Sequence, residues 1–398
     1  MIPSRQDDGP PTGHDGRSEG AGRFLRVIGL MSGTSLDGVD AALIETDGVS
    51  VRYRGAALSL PYEASLRERV YALFGQAAAF AGETLDALPE EFRAVERELT
   101  DAHVRAVQQV LEQEGTADLV GFHGQTLYHA PERGRTWQMG DASRLSHLTG
   151  LPVIHDFRSA DVAAGGQGAP LAPWYHAACL GDMQGPVAIL NIGGVANVTF
   201  VGADGTILAG DTGPGNALLD DWALRHTGVA CDRDGALARA GQVDQAILAS
   251  LMADPFFARP LPKSLDRQAF AMALERVSGL GAEDGAATLV AFTVRSIAQS
   301  VLPEVPRGWF VCGGGRHNPS IMQALGQNLP GTVAPVEALG WNGDMVEAEC
   351  FAFLAMRSLR GLPLSSPGIT GAPGFGSGGR LSCSALVPSS VLAGAFAR

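Results

Sequence analysis

The chain has 398 residues, is 45% hydrophobic, and carries a formal net charge of −13 with a pI near 5.1. That length holds two or three domains' worth of chain with sizeable cores. The acidic balance argues against a nucleic-acid face, and no apolar run approaches the ~18 residues of a membrane helix. Residues 1–22 are rich in Gly, Asp, Ser, Pro and Arg without an apolar segment, so they read as a disordered extension or a start-site artefact and not as a signal peptide. Strand patterns then come at 24–28, 39–46 and 51–60. Helical periodicity covers 65–76 and 85–114, and strands follow at 117–122 and 136–139. From 187 the opening recurs: strand 187–192, a Gly193–Gly194 turn, strand 197–201 and a third strand near Ile207. Helices are expected at 215–226, 243–252 and 285–302, a strand at 309–311, and helices at 319–325 and 344–360, the last closed by Gly361 and Pro363. Two halves that each open β-β-β and then alternate helices with strands imply a duplicated α/β architecture. The cleft between such halves is the natural ligand site.

Three glycine-rich turns carry the chemistry: G-L-M-S-G-T-S-L-D-G-V-D at 29–40, G-D-T-G-P-G-N at 210–216 and C-G-G-G-R-H-N at 312–318. Each is expected to follow a buried strand. Glycine lets backbone approach a ligand closely, and successive N–H groups in such turns cradle phosphate oxygens. Together they suggest a nucleotide phosphate chain gripped from two sides. There is no G-x-x-x-x-G-K-[ST], and Lys263 is the single lysine among 29 Lys and Arg residues. Charge on a transferring phosphoryl must therefore be met by backbone N–H groups, Mg²⁺ and arginine. A G-x-G-x-x-G at 374–379 has no strand before it and no helix after it, which removes it as a dinucleotide site.

Asp211 is read as closing a strand and opening the Gly213-Pro214-Gly215 turn, pointing into the cleft where a general base is needed. Its rival role is that of a turn-forming or helix-capping aspartate. Asp37 suits Mg²⁺, directly or through water, or else belongs to a plain Asp37–Gly38 hairpin turn. Ser32, Thr34 and Ser35 add hydroxyls and N–H groups. Lys263 either touches a ligand or is one more ordinary lysine. The cysteines Cys179, Cys231, Cys312, Cys350 and Cys383 are odd in number and lack C-x-x-C, which fits a reducing cytoplasm. The nine histidines show no zinc-site spacing, and no G-x-S-x-G elbow occurs.

Six motifs in fixed order make the resemblance specific: the 29–40 turn, G-F-H-G-Q-T (121–126), D-F-R-S-A-D-V-A-A-G-G-Q-G-A-P-L (156–171), N-I-G-G-V-A-N-V-T (191–199), G-D-T-G-P-G-N and V-C-G-G-G-R-H-N. From about residue 24 to about 372, the chain resembles the anhydro-N-acetylmuramic acid kinases of the actin, Hsp70 and sugar-kinase superfamily. The resemblance implies two duplicated actin/Hsp70-like (ribonuclease H-like) domains with an inter-domain active-site cleft. The division expected is 23–155, with 365–385 as a completing segment, then 156–364, with a tail at 386–398.

It also implies that ATP and Mg²⁺ are used. Asp211 would activate the attacking water. Gly33, Thr34, Ser35, Leu36, Asp37, Gly38, Val39, Asp40, Gly213, Gly215, Asn216, Gly313, Gly314 and Asn318 would hold the nucleotide, with the adenosine near Gly313–Gly315. His123, Gln125, Thr126, Arg158 and Asp161 would face the anhydro-sugar, with arginine as the partner of its lactyl carboxylate. Many relatives read D-F-R-R-R-D where this chain has Ser159 and Ala160, so only Arg158 is carried over. Glu347 matches a family glutamate, with surface salt-bridge duty as its rival. Around Lys263, Asp266 replaces a family glycine. The implied setting is a bacterial cytoplasm and peptidoglycan recycling, with an amino-sugar substrate and a homodimer. Its rivals are a kinase for another sugar and an Hsp70-like ATP-switched binding protein. The latter would need a peptide-binding domain, and only about 26 residues follow 372, too few for a separate core.

Overall fold

The computed structural model describes residues 23–33, 35–83, 85–181, 183, 185–265 and 270–385. The extension 1–22, Thr34, Asp266 and the tail 386–398 lie outside them.

The first half builds β1 (Leu25–Ser32), β2 (Gly38–Thr46), β3 (Val51–Pro61), β4 (Leu119–Ala130), β5 (Arg135–Met139) and β6 (Val153–His155). The second builds β7 (Val187–Ile192), β8 (Val195–Val201), β9 (Ile207–Pro214), β10 (Gly308–Cys312) and β11 (Thr332–Pro335), and β12 (Arg380–Ser382) comes last. In the first sheet β1, β2 and β3 form an antiparallel meander, and β4 and then β6 add in parallel on the other side of β1. The second sheet repeats this, with the meander β7-β8-β9 and parallel β10 and β11. The orders β6-β4-β1-β2-β3 and β11-β10-β7-β8-β9 are the same topology twice. This is a duplicated ribonuclease H-like α/β fold. Central strands such as β7 (burial BBBBiB) are apolar on both faces because helices cover both.

The expected elements recur with shifted ends. The 85–114 helix starts at Glu90 after a short 3₁₀ turn, and the 285–302 helix is Ala282–Ala298. Two corrections matter for the site. The 29–40 segment is strand up to Ser32, and Gly38 already begins β2, so the turn is confined to the residues between. Likewise β9 runs on through Gly210 to Pro214, paired with β8 at Asp211↔Asn197 and Gly213↔Ala196. Glycines and a proline suggested a turn there, but β9 is the sheet's edge strand, where a residue without an N–H is tolerated.

The helix Val346–Leu359 packs against β1, β2 and β4. Gly29 and Gly121 make this contact possible: a Cβ on Gly29 would strike the backbone of Ala348 and Ala352, and one on Gly121 the backbone of Phe351. From Val346 the chain has therefore returned to the first sheet, earlier than residue 365. It then completes that sheet's edge with β12, antiparallel to β6.

Candidate active site

The strand ends of both sheets open onto one cleft of about 690 Å³. Gly33, Ser35 and Asp37 enter it from the β1–β2 turn, and Gly193 and Gly194 from the equivalent β7–β8 turn. Gly313 and Gly314 follow β10, while Asn216 and Asp220 come from the start of the helix Ala217–Thr227. The opposite wall carries His123 and Thr126 of β4, Arg158 after β6, Asp344, and Glu347 in the first turn of Val346–Leu359. A second chamber of about 190 Å³ adjoins it and shares Arg158, Asn191, Cys312 and Glu347 with the cleft. That chamber also presents Asn197, Asp211, His176 and Ser264.

Asp211 sits in this chamber because β9 continues through it. Its backbone N–H donates to Lys263 O at 2.8 Å, and its Oδ2 accepts from Leu265 N–H at 2.7 Å. Burial pushes its carboxyl up to about 7, against the opposing pull of that N–H bond and of Lys263. A carboxyl with that affinity can take a proton near neutral pH. Asn197 lies directly across the ladder from Asp211, and Asn191 across from Asn197, so the three form one polar row over β7, β8 and β9. Both asparagines were missed as site residues. The N-I-G-G-V-A-N motif carried them, but only the pairing register shows that they share a face with Asp211.

In the β1–β2 turn, Ser35 Oγ donates to Asp37 Oδ1 at 2.7 Å. The Asp40 carboxyl is raised by burial and further by the charges of Asp37 and Asp344, against the Ser59 hydroxyl bond that lowers it. Among the described residues no three ligand-type side chains gather. A cation held here would take one or two carboxylates and fill its shell with phosphate and water, which is how Mg²⁺ binds. Asp37 supplies a hard oxygen of that kind on the cleft lining, whereas Asp40, outside that lining, accepts from Ser59 Oγ.

Several predicted residues stand elsewhere. Leu36 packs in the first core at 2% exposure and Val39 is buried beside it. Gly38 faces the Leu60 backbone within the β2–β3 ladder. Gly213 backs onto Ser296 and Phe257, and Gly215 onto the Gly193 carbonyl, so the second-half turn exposed to the cleft is Gly193–Gly194. Asn318 caps the helix Pro319–Asn328, accepting from Ser320 N–H and Ile321 N–H, and does not line the cleft. Lys263 is turned inward, with Nζ donating to Phe256 O at 3.0 Å and lying over the Phe256 ring.

Gln125 is fully buried and accepts from Ser32 Oγ at 2.6 Å, tying β4 to β1. Asp161 accepts from Gly168 N–H and Thr370 Oγ1, holding the 166–170 loop. Glu347 forms part of both cavity walls and is no surface salt-bridge partner. It stays water-accessible through the open cleft although protein surrounds it. Burial raises its carboxyl, Arg158 opposes that, and Asp40 adds to it.

A two-sided glycine cleft beside a small chamber that holds a few polar groups among apolar ones is a layout for bringing a phosphoryl donor to a small acceptor. Comparison with known proteins decides which one. The family model for anhydro-N-acetylmuramic acid kinase matches residues 25–381. The chain belongs to the anhydro-N-acetylmuramic acid kinase family. It is 56% identical to the anhydro-N-acetylmuramic acid kinase of Acidiphilium cryptum, covering 90% of this chain and 98% of that one. It is 56% identical to that of Gluconobacter oxydans (87% and 96% covered) and 50% identical to that of Paramagnetospirillum magneticum (89% and 99%). As a sugar kinase of this family it is a phosphotransferase, and no described helix is long and apolar enough to cross a membrane.

Proposed function

We propose that the protein uses ATP to convert 1,6-anhydro-N-acetylmuramic acid into N-acetylmuramic acid 6-phosphate and ADP, opening the anhydro bridge with water as it phosphorylates O6. The observation that carries this reading is Asp211, a carboxylate held near neutral affinity in a small chamber that adjoins the cleft with glycine turns on two sides. The family's printed name supplies the substrate.

Asp211 takes a proton from water, and the water oxygen bonds to the anomeric carbon. The C1–O6 bond breaks, its electron pair stays on O6, and O6 attacks the γ-phosphorus of ATP as the bond to ADP breaks. The leaving oxygen of the first event is the nucleophile of the second, so a single pose serves both. Asn197 and Asn191 orient sugar and water, and Arg158 draws the lactyl carboxylate. Main-chain N–H groups of the Gly33 and Gly193–Gly194 turns meet the phosphates, and Gly313–Gly314 lies against the nucleoside. Asp37 would hold Mg²⁺, which neutralises phosphate charge when bound. Two halves joined around one cleft can close to exclude bulk water.

The role is recycling of peptidoglycan fragments in a bacterial cytoplasm, with the enzyme as a homodimer. Turnover of the anhydro-sugar with ATP in ¹⁸O-water, read by mass spectrometry, tests the reaction. The label is expected at C1 of the product and not in phosphate, and label in phosphate would mean plain ATP hydrolysis.

A further inference from the structure

His123 is a buried side chain on β4 that nothing in the reaction above uses. Its Nδ1 lies 2.7 Å from the carbonyl of Gly124, which can only accept, so Nδ1 carries the proton. Nε2 is then a lone-pair acceptor, and Arg158 meets it twice, from Nε at 3.1 Å and Nη2 at 3.0 Å. The third guanidinium bond runs from Nη1 to the carbonyl of Gly168 at 2.7 Å. That carbonyl belongs to the loop fixed by Asp161 through the Gly168 N–H. The imidazole also packs on the Phe351 ring at 4.4 Å, over which the guanidinium itself sits at 5.8 Å.

A guanidinium has five N–H donors. Three are spent here on neutral acceptors, which leaves one on each terminal nitrogen, the fork that matches a carboxylate. An arginine placed for structural reasons is ordinarily paired with Asp or Glu, which would cancel its charge. The carboxylates that act on Arg158, Glu347 and Asp161, do so through space. Burial and the neighbouring Arg158 charge hold His123 well below its usual range, so it adds no positive charge of its own and stays an acceptor.

We propose that His123 is a positioning residue that aims the Arg158 fork without a direct carboxylate bond to it, and so sets the enzyme's selectivity for a sugar bearing a carboxylate. This rests on the proposed reaction, in which the lactyl carboxylate is the group that meets Arg158.

The experiment compares kcat/KM for 1,6-anhydro-N-acetylmuramic acid with that for 1,6-anhydro-N-acetylglucosamine, which lacks the lactyl group, in wild type, His123→Glu and His123→Gln. Glutamate would pair with the arginine, and glutamine keeps a neutral acceptor. The selectivity ratio is expected to fall about 10- to 100-fold in His123→Glu, the worth of a charge-assisted bond. His123→Gln should restore most of it. Calorimetric binding of the two sugars gives the same comparison should His123→Glu turn over too slowly. If both variants lose activity toward the two sugars in equal proportion, His123 is merely structural and the proposal fails. Should His123→Glu not fold, an unchanged ratio in His123→Leu, which offers no acceptor, would overturn it equally. A wild type that phosphorylates neither sugar refutes the proposed function instead, a distinguishable result.

Discussion

Replacing Asp211 by asparagine removes the proton acceptor and little else. The amide oxygen can still accept from Leu265 N–H, the 2.7 Å bond that joins β9 to the following loop. The backbone bond to Lys263 O is untouched. A general base contributes typically about 10²–10⁴ in rate, so turnover should fall by that order while ATP affinity, set elsewhere in the cleft, stays within about twofold of wild type.

The wild-type pH profile should show an acid limb near 7, because only the ionised carboxylate can act and burial holds its affinity there. Linkage gives an independent readout. A folded-state value raised above the unfolded value of 3.8 means that the protonated form is the one the fold favours. That contribution is fully present below 3.8 and is lost as pH rises through about 7. At pH 8 the wild type therefore carries a strained carboxylate that the asparagine variant lacks. Its cost is a few kcal/mol at most, discounted because the cleft admits water. The variant should melt higher than wild type at pH 8 and no higher at pH 4, measured by scanning fluorimetry. Near-normal turnover of Asp211→Asn, or an acid limb unchanged in it, would refute the assignment and move the base to another carboxylate.

Three further outcomes are expected. Gly193→Val places its side chain in open cleft, where the nearest atom to the Cβ is Val195 O at 3.8 Å, and Gly33→Val meets Ser35 alone, its Oγ at 3.4 Å and its N at 4.0 Å among the described residues. Both should keep the wild-type melting temperature and raise the ATP dissociation constant by about tenfold or more, checked by calorimetry. Asp37→Asn should shift the Mg²⁺ concentration for half-maximal rate upward, with the sugar KM unchanged, and an unaltered Mg²⁺ titration would remove Asp37 from the metal. Lys263→Met removes one of the two donors to Phe256 O, leaving Arg259 N–H at 3.1 Å, so stability should drop by only about 0.5–1.5 kcal/mol in urea unfolding with ATP affinity unchanged; lost ATP binding would return Lys263 to the site.

Much was legible in the order of residues because it depends on local rules. Apolar runs such as Val187–Ile192, and glycine pairs such as Gly193–Gly194, specify strand and turn through steric freedom and burial over a few neighbours. The duplicated β-β-β opening, the cleft between the halves with Ser35, Asp37, Thr126, Arg158 and Glu347 on its walls, and Asp211 beside it followed from the sequence alone. Glycine, however, serves two purposes that look identical in sequence. At Gly33 and Gly193 it borders the open cleft, whereas at Gly213 it leaves room for Ser296 and at Gly29 for the backbone of a helix about 320 residues downstream.

Only the assembled tertiary structure separates these cases, because what a missing Cβ admits depends on what packs against it. The same holds for Asn318, Lys263 and Asp161, polar residues in suggestive motifs whose bonds turn out to go to a helix end, a loop and a neighbouring turn. It holds in reverse for Asn197, which reaches the chamber through its register with Asp211. Local sequence sets backbone preference. Whether a polar side chain ends in protein or in a cavity is decided by long-range packing, since each hydrogen-bonding group takes whichever partner the closed fold brings within about 3 Å.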